Sequence, residues 1–153
     1  VKHSRNAVRI KPYILQIDGS SRLNPGPAGI GVVLIAPDGS ILKEISRFIG
    51  VKTNNQAEYE ALLAALNEVS KFQLSPVIIQ TDSELLYYQL TGKYQVKDEK
   101  LKLLYNKAKR LLSILPAIKL NLVPREANKL SDRLAKKASA VKPKALSYEK
   151  KNT

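Results

Sequence analysis

The 153-residue sequence has no cysteine, and its single histidine is His3. Without thiols, disulfides and thiolate metal ligands are excluded, and the redox compartment stays open. Long apolar runs are also missing. GIGVVLIAP is close to the longest, well short of the roughly eighteen residues that span a membrane. The amino-terminal VKHSRNAVRIKPY is basic but has no apolar centre, so it does not read as a secretory signal and the expected location is the cytoplasm. Acid is scarce: 13 Asp and Glu stand against 26 Lys and Arg, for a net charge of +13. That excess predicts an electropositive surface and a polyanionic partner, nucleic acid before anionic membrane. A membrane surface would need an exposed apolar helix face, and the helices here are needed for the core. No membrane partner is expected.

What is present suffices for one domain with a real core, since 44% of residues are apolar. Residues 1–11 carry four Lys or Arg and no acid and read as a basic flexible arm; residues 141–153 read as a basic flexible tail. Between them, residues 12–140 form the folded domain. YILQID, IGVVLIA and ILKEISRFI read as strands, joined by the turn-rich GSSRLNPGPAG and by PDG. A helix follows from about Thr53 to Phe72, then PVIIQTD, a branched apolar run typical of a buried parallel strand. SELLYYQLTG is a brief helix ended by Gly92. A longer helix spans about Lys97 to Leu115, with Leu101, Leu104, Ala108, Leu111 and Leu115 in register and Pro116 as its stop. IKLNLV is a last strand, and Asn128–Ala140 a last helix with Leu130, Leu134 and Ala138 inward. The order β-β-β-α-β-α-α-β-α is that of an α/β domain with a mixed sheet.

TNNQAEYEALLAAL contains an anomaly. Thr53 and Gln56 have capping-box spacing, Leu62, Ala65 and Val69 form an apolar stripe, and one turn before Leu62 stands Glu58. Three more carboxylates sit where an α/β sheet places ligands or cores: Asp18 closing the first strand, Asp82 closing the fourth, and Asp132 early in the last helix, one turn ahead of Lys136. Each has a local alternative. Asp18 would serve as a turn cap, Asp82 with Ser83 as a helix cap, and Asp132 as a partner of its helix dipole. Gathered together, four carboxylates would repel one another and suffer desolvation unless cations neutralised them. All-oxygen ligands suit Mg²⁺ or Mn²⁺. In so basic a chain, cationic residues would hold a phosphate backbone while the carboxylates held metals directed at it. Whether the four meet is left open by the residues alone.

IDGSSRLNPGPAGIGVVL, TNNQAEYEALLAAL, VIIQTDSELL and VPREANKLSDRLAKKA match, in order and spacing, the motifs of ribonuclease HI. The chain resembles that family over roughly residues 13–140. The resemblance implies a ribonuclease H-like fold, a five-stranded mixed sheet in order 3-2-1-4-5 flanked by helices. It places the family's catalytic quartet on Asp18, Glu58, Asp82 and Asp132, with two Mg²⁺ or Mn²⁺ ions bound alongside substrate. Asp18 would bridge both ions, Asp132 would help hold the one at the attacking water, and Glu58 and Asp82 the one at the leaving oxygen. The implied reaction is hydrolysis of the RNA strand of an RNA/DNA hybrid, leaving 3′-hydroxyl and 5′-phosphate ends. Asn24, Asn54 and the backbone at Gly19 and Ser20 match positions that read 2′-hydroxyls. Thr53 and Asn55 match positions that grip a phosphate of the DNA strand.

The chain departs from the family's commonest form in several places. The flexible loop before the last Asp has no histidine; it reads VPREAN, so Arg125 or Glu126 is the candidate assistant, with Asn128 as a further polar contact. Glu84 stands where many members carry Gln, and an ionised carboxylate only accepts hydrogen bonds. No basic handle is inserted between the two middle helices, which implies the handle-less branch, and there is no Trp to serve in one. Lys93, Lys97, Lys100 and Lys102 cluster there and are candidate backbone contacts. Double-stranded RNA is a second candidate substrate, and a monomer is expected. Two alternatives remain: a non-catalytic binding module of the same fold, and the ribonuclease H domain of a retroelement reverse transcriptase.

Overall fold

The computed structural model describes residues 10–115 and 117–140. Most of the expected basic arm, His3, the helix stop at Pro116 and the basic tail lie outside the described residues. Three antiparallel strands open the domain: β1 (Tyr13–Ser21), β2 (Gly26–Ile35) and β3 (Ile41–Lys52). The stretch expected as a long turn is mostly strand. Ser20 pairs with Gly29 and Ser21 with Ala28, and the Arg22 N–H donates to the Pro27 carbonyl at 2.9 Å. Cross-strand pairing thus overrides turn-like composition and leaves only residues 22–25 as the connection. The second connection is the expected PDG turn, where the Asp38 carboxylate accepts from the Ser40 N–H (2.9 Å) and hydroxyl (2.6 Å).

Helix α1 (Asn54–Phe72) crosses to β4 (Val77–Thr81), which runs parallel to β1. Helices α2 (Glu84–Leu90) and α3 (Glu99–Ile114) lead to β5 (Ile118–Leu122), parallel to β4. A 3-10 turn (Arg125–Ala127) and α4 (Lys129–Ser139) complete the described chain. The sheet order is β3-β2-β1-β4-β5, the order the resemblance implies. Thr53 caps α1 in a full capping box, taking the Gln56 N–H at 3.1 Å while its own N–H donates to the Gln56 side chain at 2.8 Å. Asp98 caps α3 through the Leu101 N–H, so that helix begins at Glu99 and not at Lys97.

One face of the sheet carries the apolar core: Leu15, Ile17, Ile30, Val32 and Ile79 pack under α1 and α3. Helix α4 covers the other face by a different device. Its buried side is Ser131, Leu134, Ala135, Ala138 and Ser139, while Leu130, expected inward, is only half-buried. The reason lies on β2. A Cβ on Gly31 would stand 2.1 Å from the Ser131 carbonyl oxygen, and one on Gly29 would stand 2.5 Å from the Ala138 Cβ. The helix backbone rests against the strand where two glycines admit it, so small residues line the contact.

Candidate active site

β1 is the strand at which the sheet changes sense, antiparallel to β2 and parallel to β4. Asp18 lies within β1 and does not close it, because the strand continues to Ser21. The parallel pairing with β4, however, ends at Gln16 opposite Gln80. Asp18 therefore projects beyond the end of the parallel half, and Asp82 follows the last residue of β4. This is the crevice where open sheets hold ligands. Ser83 takes over the capping of α2, accepting from the Leu86 N–H at 3.2 Å, which leaves the Asp82 carboxylate free of that duty.

Glu58 arrives from the opposite face. A Cβ on Gly19 would lie 2.2 Å from the Ala57 carbonyl carbon and 2.4 Å from the Glu58 nitrogen, so only glycine lets the start of α1 press onto β1. At that approach the Gly19 N–H donates to Glu58 Oε1 at 3.0 Å. Carboxylate oxygens of Asp18, Glu58 and Asp82 all lie within 4.8 Å of one another. Asp132 stands beside Asp18 but outside that trio, its Oδ2 3.1 Å from Lys136 Nζ. All four line one recess of about 340 Å³ together with Gly19, Ser20, Asn54, Arg125 and Lys136.

The electrostatic consequence is large. Burial, then the charges of Asp82 and Asp132, push the Asp18 carboxyl up to about 8, against a smaller downward pull from Lys136. Burial and the charges of Asp18 and Asp82 hold Glu58 well above the carboxylate range, partly offset by the Gly19 N–H. Asp82 is raised too, chiefly by burial, with Arg125 as the main counterweight. Protein alone leaves these acids poorly compensated. An all-oxygen donor set with raised affinity for positive charge fits a hard divalent cation and offers nothing to a thiophilic one.

The other expected site residues fall into three groups. Around the recess, Asn24 Oδ1 accepts from the Asn54 N–H (2.9 Å) and Asn54 Oδ1 from the Ser21 N–H (2.8 Å). Both carbonyl ends are occupied, which leaves the amide NH₂ groups to donate elsewhere. Asn24, Thr53, Asn55 and Lys100 line a neighbouring recess of about 710 Å³. Farther out, Lys93 lies over the Tyr88 ring at 4.5 Å, Lys97 is exposed, and Glu84 is exposed in the first turn of α2. Arg125 lines the carboxylate recess and the adjoining one, whereas Glu126 lines only the latter.

Asn128 does not reach the surface of the recess. Expected as a substrate contact, it is completely buried, and its Nδ2 donates to the Ile17 carbonyl at 2.8 Å, one residue before Asp18. Its side-chain amide also pulls the Asp82 carboxyl down, against the larger upward effect of burial. Its place is beneath the site, tying β1 to the start of α4. Lys136 lines the recess, and Gln16 Nε2 donates to Gln80 Oε1 at 3.0 Å and to the Ala127 carbonyl at 3.2 Å, joining β1 to β4 and to the loop before α4. Lys136 was legible as the i+4 partner of Asp132; the Gln pair required the β1–β4 register.

Sheet order, the change of strand sense at β1 and the carboxylates gathered there define a ribonuclease H-like domain. Residues 16–138 match the family described as reverse transcriptase-like. The ribonuclease HI of Halobacterium salinarum is 42% identical over 121 residues, which make up 79% of this chain and 61% of that protein. The crystal structure of RNase H1 from the same organism superposes with a TM-score of 0.79 at 40% identity, covering 82% of this chain and 96% of that one. LC11-RNase H1, solved in complex with an RNA/DNA hybrid, superposes at 0.78 with 40% identity, over 88% and 99% of the two chains. The chain belongs to the ribonuclease HI family. Residues 91–98, between α2 and α3, hold no further helix, in keeping with the handle-less form.

Proposed function

We propose that the protein hydrolyses the RNA strand of RNA/DNA hybrids, leaving 3′-hydroxyl and 5′-phosphate ends. The observation that carries this reading is the convergence of Asp18, Glu58 and Asp82 within 4.8 Å, with Asp132 alongside. These four residues would hold two Mg²⁺ or Mn²⁺ ions when substrate is bound. Bound there, the ions would supply Lewis acidity to the attacking water and to the departing 3′ oxygen.

The chain's own groups select and orient the substrate. The free amide NH₂ groups of Asn24 and Asn54 suit 2′-hydroxyl oxygens, which only the RNA strand presents, and the backbone at Gly19 and Ser20 lines the same recess as Asn54. Thr53 accepts its capping bond on Oγ1 and so keeps its O–H to donate to a phosphate of the opposite strand, beside Asn55 and Lys100. Arg125 offsets the charge of Asp82 and stands where the family's loop assistant is expected. Lys136 neutralises Asp132 until substrate and ions arrive.

The test is a 5′-labelled RNA strand annealed to DNA, incubated with Mg²⁺ or Mn²⁺, beside RNA alone, DNA duplex and RNA duplex. Hybrid cleavage that needs the metal and falls about 100-fold or more in Asp82→Asn is the expected result. Salt-sensitive binding with no cutting under either metal would leave a non-catalytic binding module instead. Cutting of the RNA duplex would add double-stranded RNA to the substrates.

A further inference from the structure

The carboxylate recess accounts for little of the +13 charge. A larger recess of about 770 Å³ opens beside it, sharing Arg125, Asp132 and Lys136 with it and running along α4 past Lys129, Arg133 and Lys137. These α4 cations are spaced i, i+4 and i+8, with Lys136 at i+7, so they form one stripe opposite the face buried on β2. All are exposed, and outside the shared residues only Glu126 opposes them. A solvated helix surface ordinarily mixes signs more evenly; here five cations stand against two acids, one of them the Lys136-paired Asp132, and the recess is continuous with the carboxylate site.

The dimensions are informative. From residue 129 to 137 the helix rises about 12 Å. One strand of a duplex carries a phosphate about every 3.4 Å of axis and its wound path is longer, so the stripe reaches roughly two or three of them. The recess lined by Thr53, Asn55 and Lys100 shares no residue with the α4 recess. Only the α4 recess is continuous with the carboxylates; the other reaches them through Asn54, the chain neighbour of Thr53 and Asn55.

We propose that α4 is a backbone track for the strand that crosses the carboxylates, with Lys129, Arg133 and Lys137 holding its phosphates on one side of the cut. The protein then favours substrates whose RNA strand continues past the hybrid on that side. This rests on the function proposed above, in which the strand over the carboxylates is RNA. Long flexible ammonium and guanidinium groups hold phosphate without reading sequence, so the preference is for length and polarity.

The test compares the full chain with a Lys129→Gln/Arg133→Gln/Lys137→Gln variant, and with a Lys107→Gln/Arg110→Gln/Lys119→Gln control that loses equal charge elsewhere. Binding of labelled hybrid is followed by anisotropy across a salt series, with RNA extended by four nucleotides at either end, and kcat and KM are measured with metal. In the α4 variant the slope of log K against log salt should fall by about two to three, and by about one in Arg133→Gln alone. KM should rise about tenfold with kcat within about twofold. The wild type should gain affinity from one extension and not the other, and the α4 variant should lose that gain. An α4 variant indistinguishable from the control, or a loss that is the same at both ends, overturns the track while hybrid cleavage stands. Failure of the wild type to bind or cut hybrid overturns the function itself, and this inference with it.

Discussion

Asp18 is only 5% exposed, and its neighbours are acids. Its carboxyl titrates near 8 in the folded chain against an ordinary value of 3.8, so between those limits the folded state holds a proton that the unfolded state has lost. Stability falls with pH wherever the native state binds more protons. This contribution is therefore fully present below about pH 4 and is lost as pH rises through 8. Glu58 and Asp82 shift in the same direction. The protein in chelator should melt at progressively lower temperature as pH is raised from 5 to 8.5, at a limit of about 1.4 kcal/mol per pH unit for each proton held. Asp18→Asn should flatten that dependence and raise the melting temperature at pH 8.5, while abolishing cleavage. A melting temperature in Asp18→Asn no higher than wild type at pH 8.5 would mean the carboxylates are not in conflict.

Elements meet at this site because side chains are missing where they touch. Gly19 lets α1 bring Glu58 over β1, and Gly31 lets α4 bring Asp132 beside Asp18, its own neighbour across the β1–β2 ladder. Gly31→Ala places a methyl group 2.1 Å from the Ser131 carbonyl oxygen, one residue before Asp132. The helix must lift, at about 1–3 kcal/mol of overpacking, and the fourth carboxylate moves with it. Gly39 is a contrasting case: it has φ +91° and nothing within 4 Å. Gly39→Ala should cost about 1 kcal/mol through backbone strain and leave cleavage untouched. Measuring melting temperature and hybrid cleavage on both variants separates the effects. If Gly31→Ala cuts at the wild-type rate, α4 does not need its close seat.

The whole molecule carries two opposed electrostatic loads: +13 overall and a poorly compensated acidic pocket. They respond differently to ions. Monovalent salt screens the general repulsion and should raise the melting temperature modestly at any pH. A divalent cation held by the native pocket and not by the unfolded chain would stabilise the fold by mass action. At about one hundred times its dissociation constant it adds about 2.7 kcal/mol, or roughly 5–10 °C for a chain of this size. Its effect should be greatest at pH 8 and above, where the carboxylates are deprotonated, and should vanish in Asp18→Asn. A Mg²⁺ or Mn²⁺ shift that persists unchanged in Asp18→Asn would place the cation elsewhere.

Much of this protein is decided locally. The capping box at Thr53, the periodicity of α1 and α3, the PDG turn and the branched run of β4 specify their elements whatever surrounds them, and the motifs around Asp18, Glu58, Asp82 and Asp132 identify the family. Other features depend on partners distant in the chain. Composition could not show that GSSRLNPGPAG is mostly strand, since that follows from pairing with residues across the hairpin. Nor could it show that Asn128 is buried, because Ile17, its partner, lies 111 residues away. Leu130 satisfies the helical period, yet it is only half-buried, and apart from Leu134 the inner face of α4 is made of small residues where two glycines on β2 admit the helix. Periodicity, capping and turn chemistry act within a few residues and are written in the sequence. The distance between Asp18 and Glu58, and the continuity of the carboxylates with the cationic stripe of α4, arise only when the sheet is assembled, because steric approach and electrostatic coupling depend on separation in space.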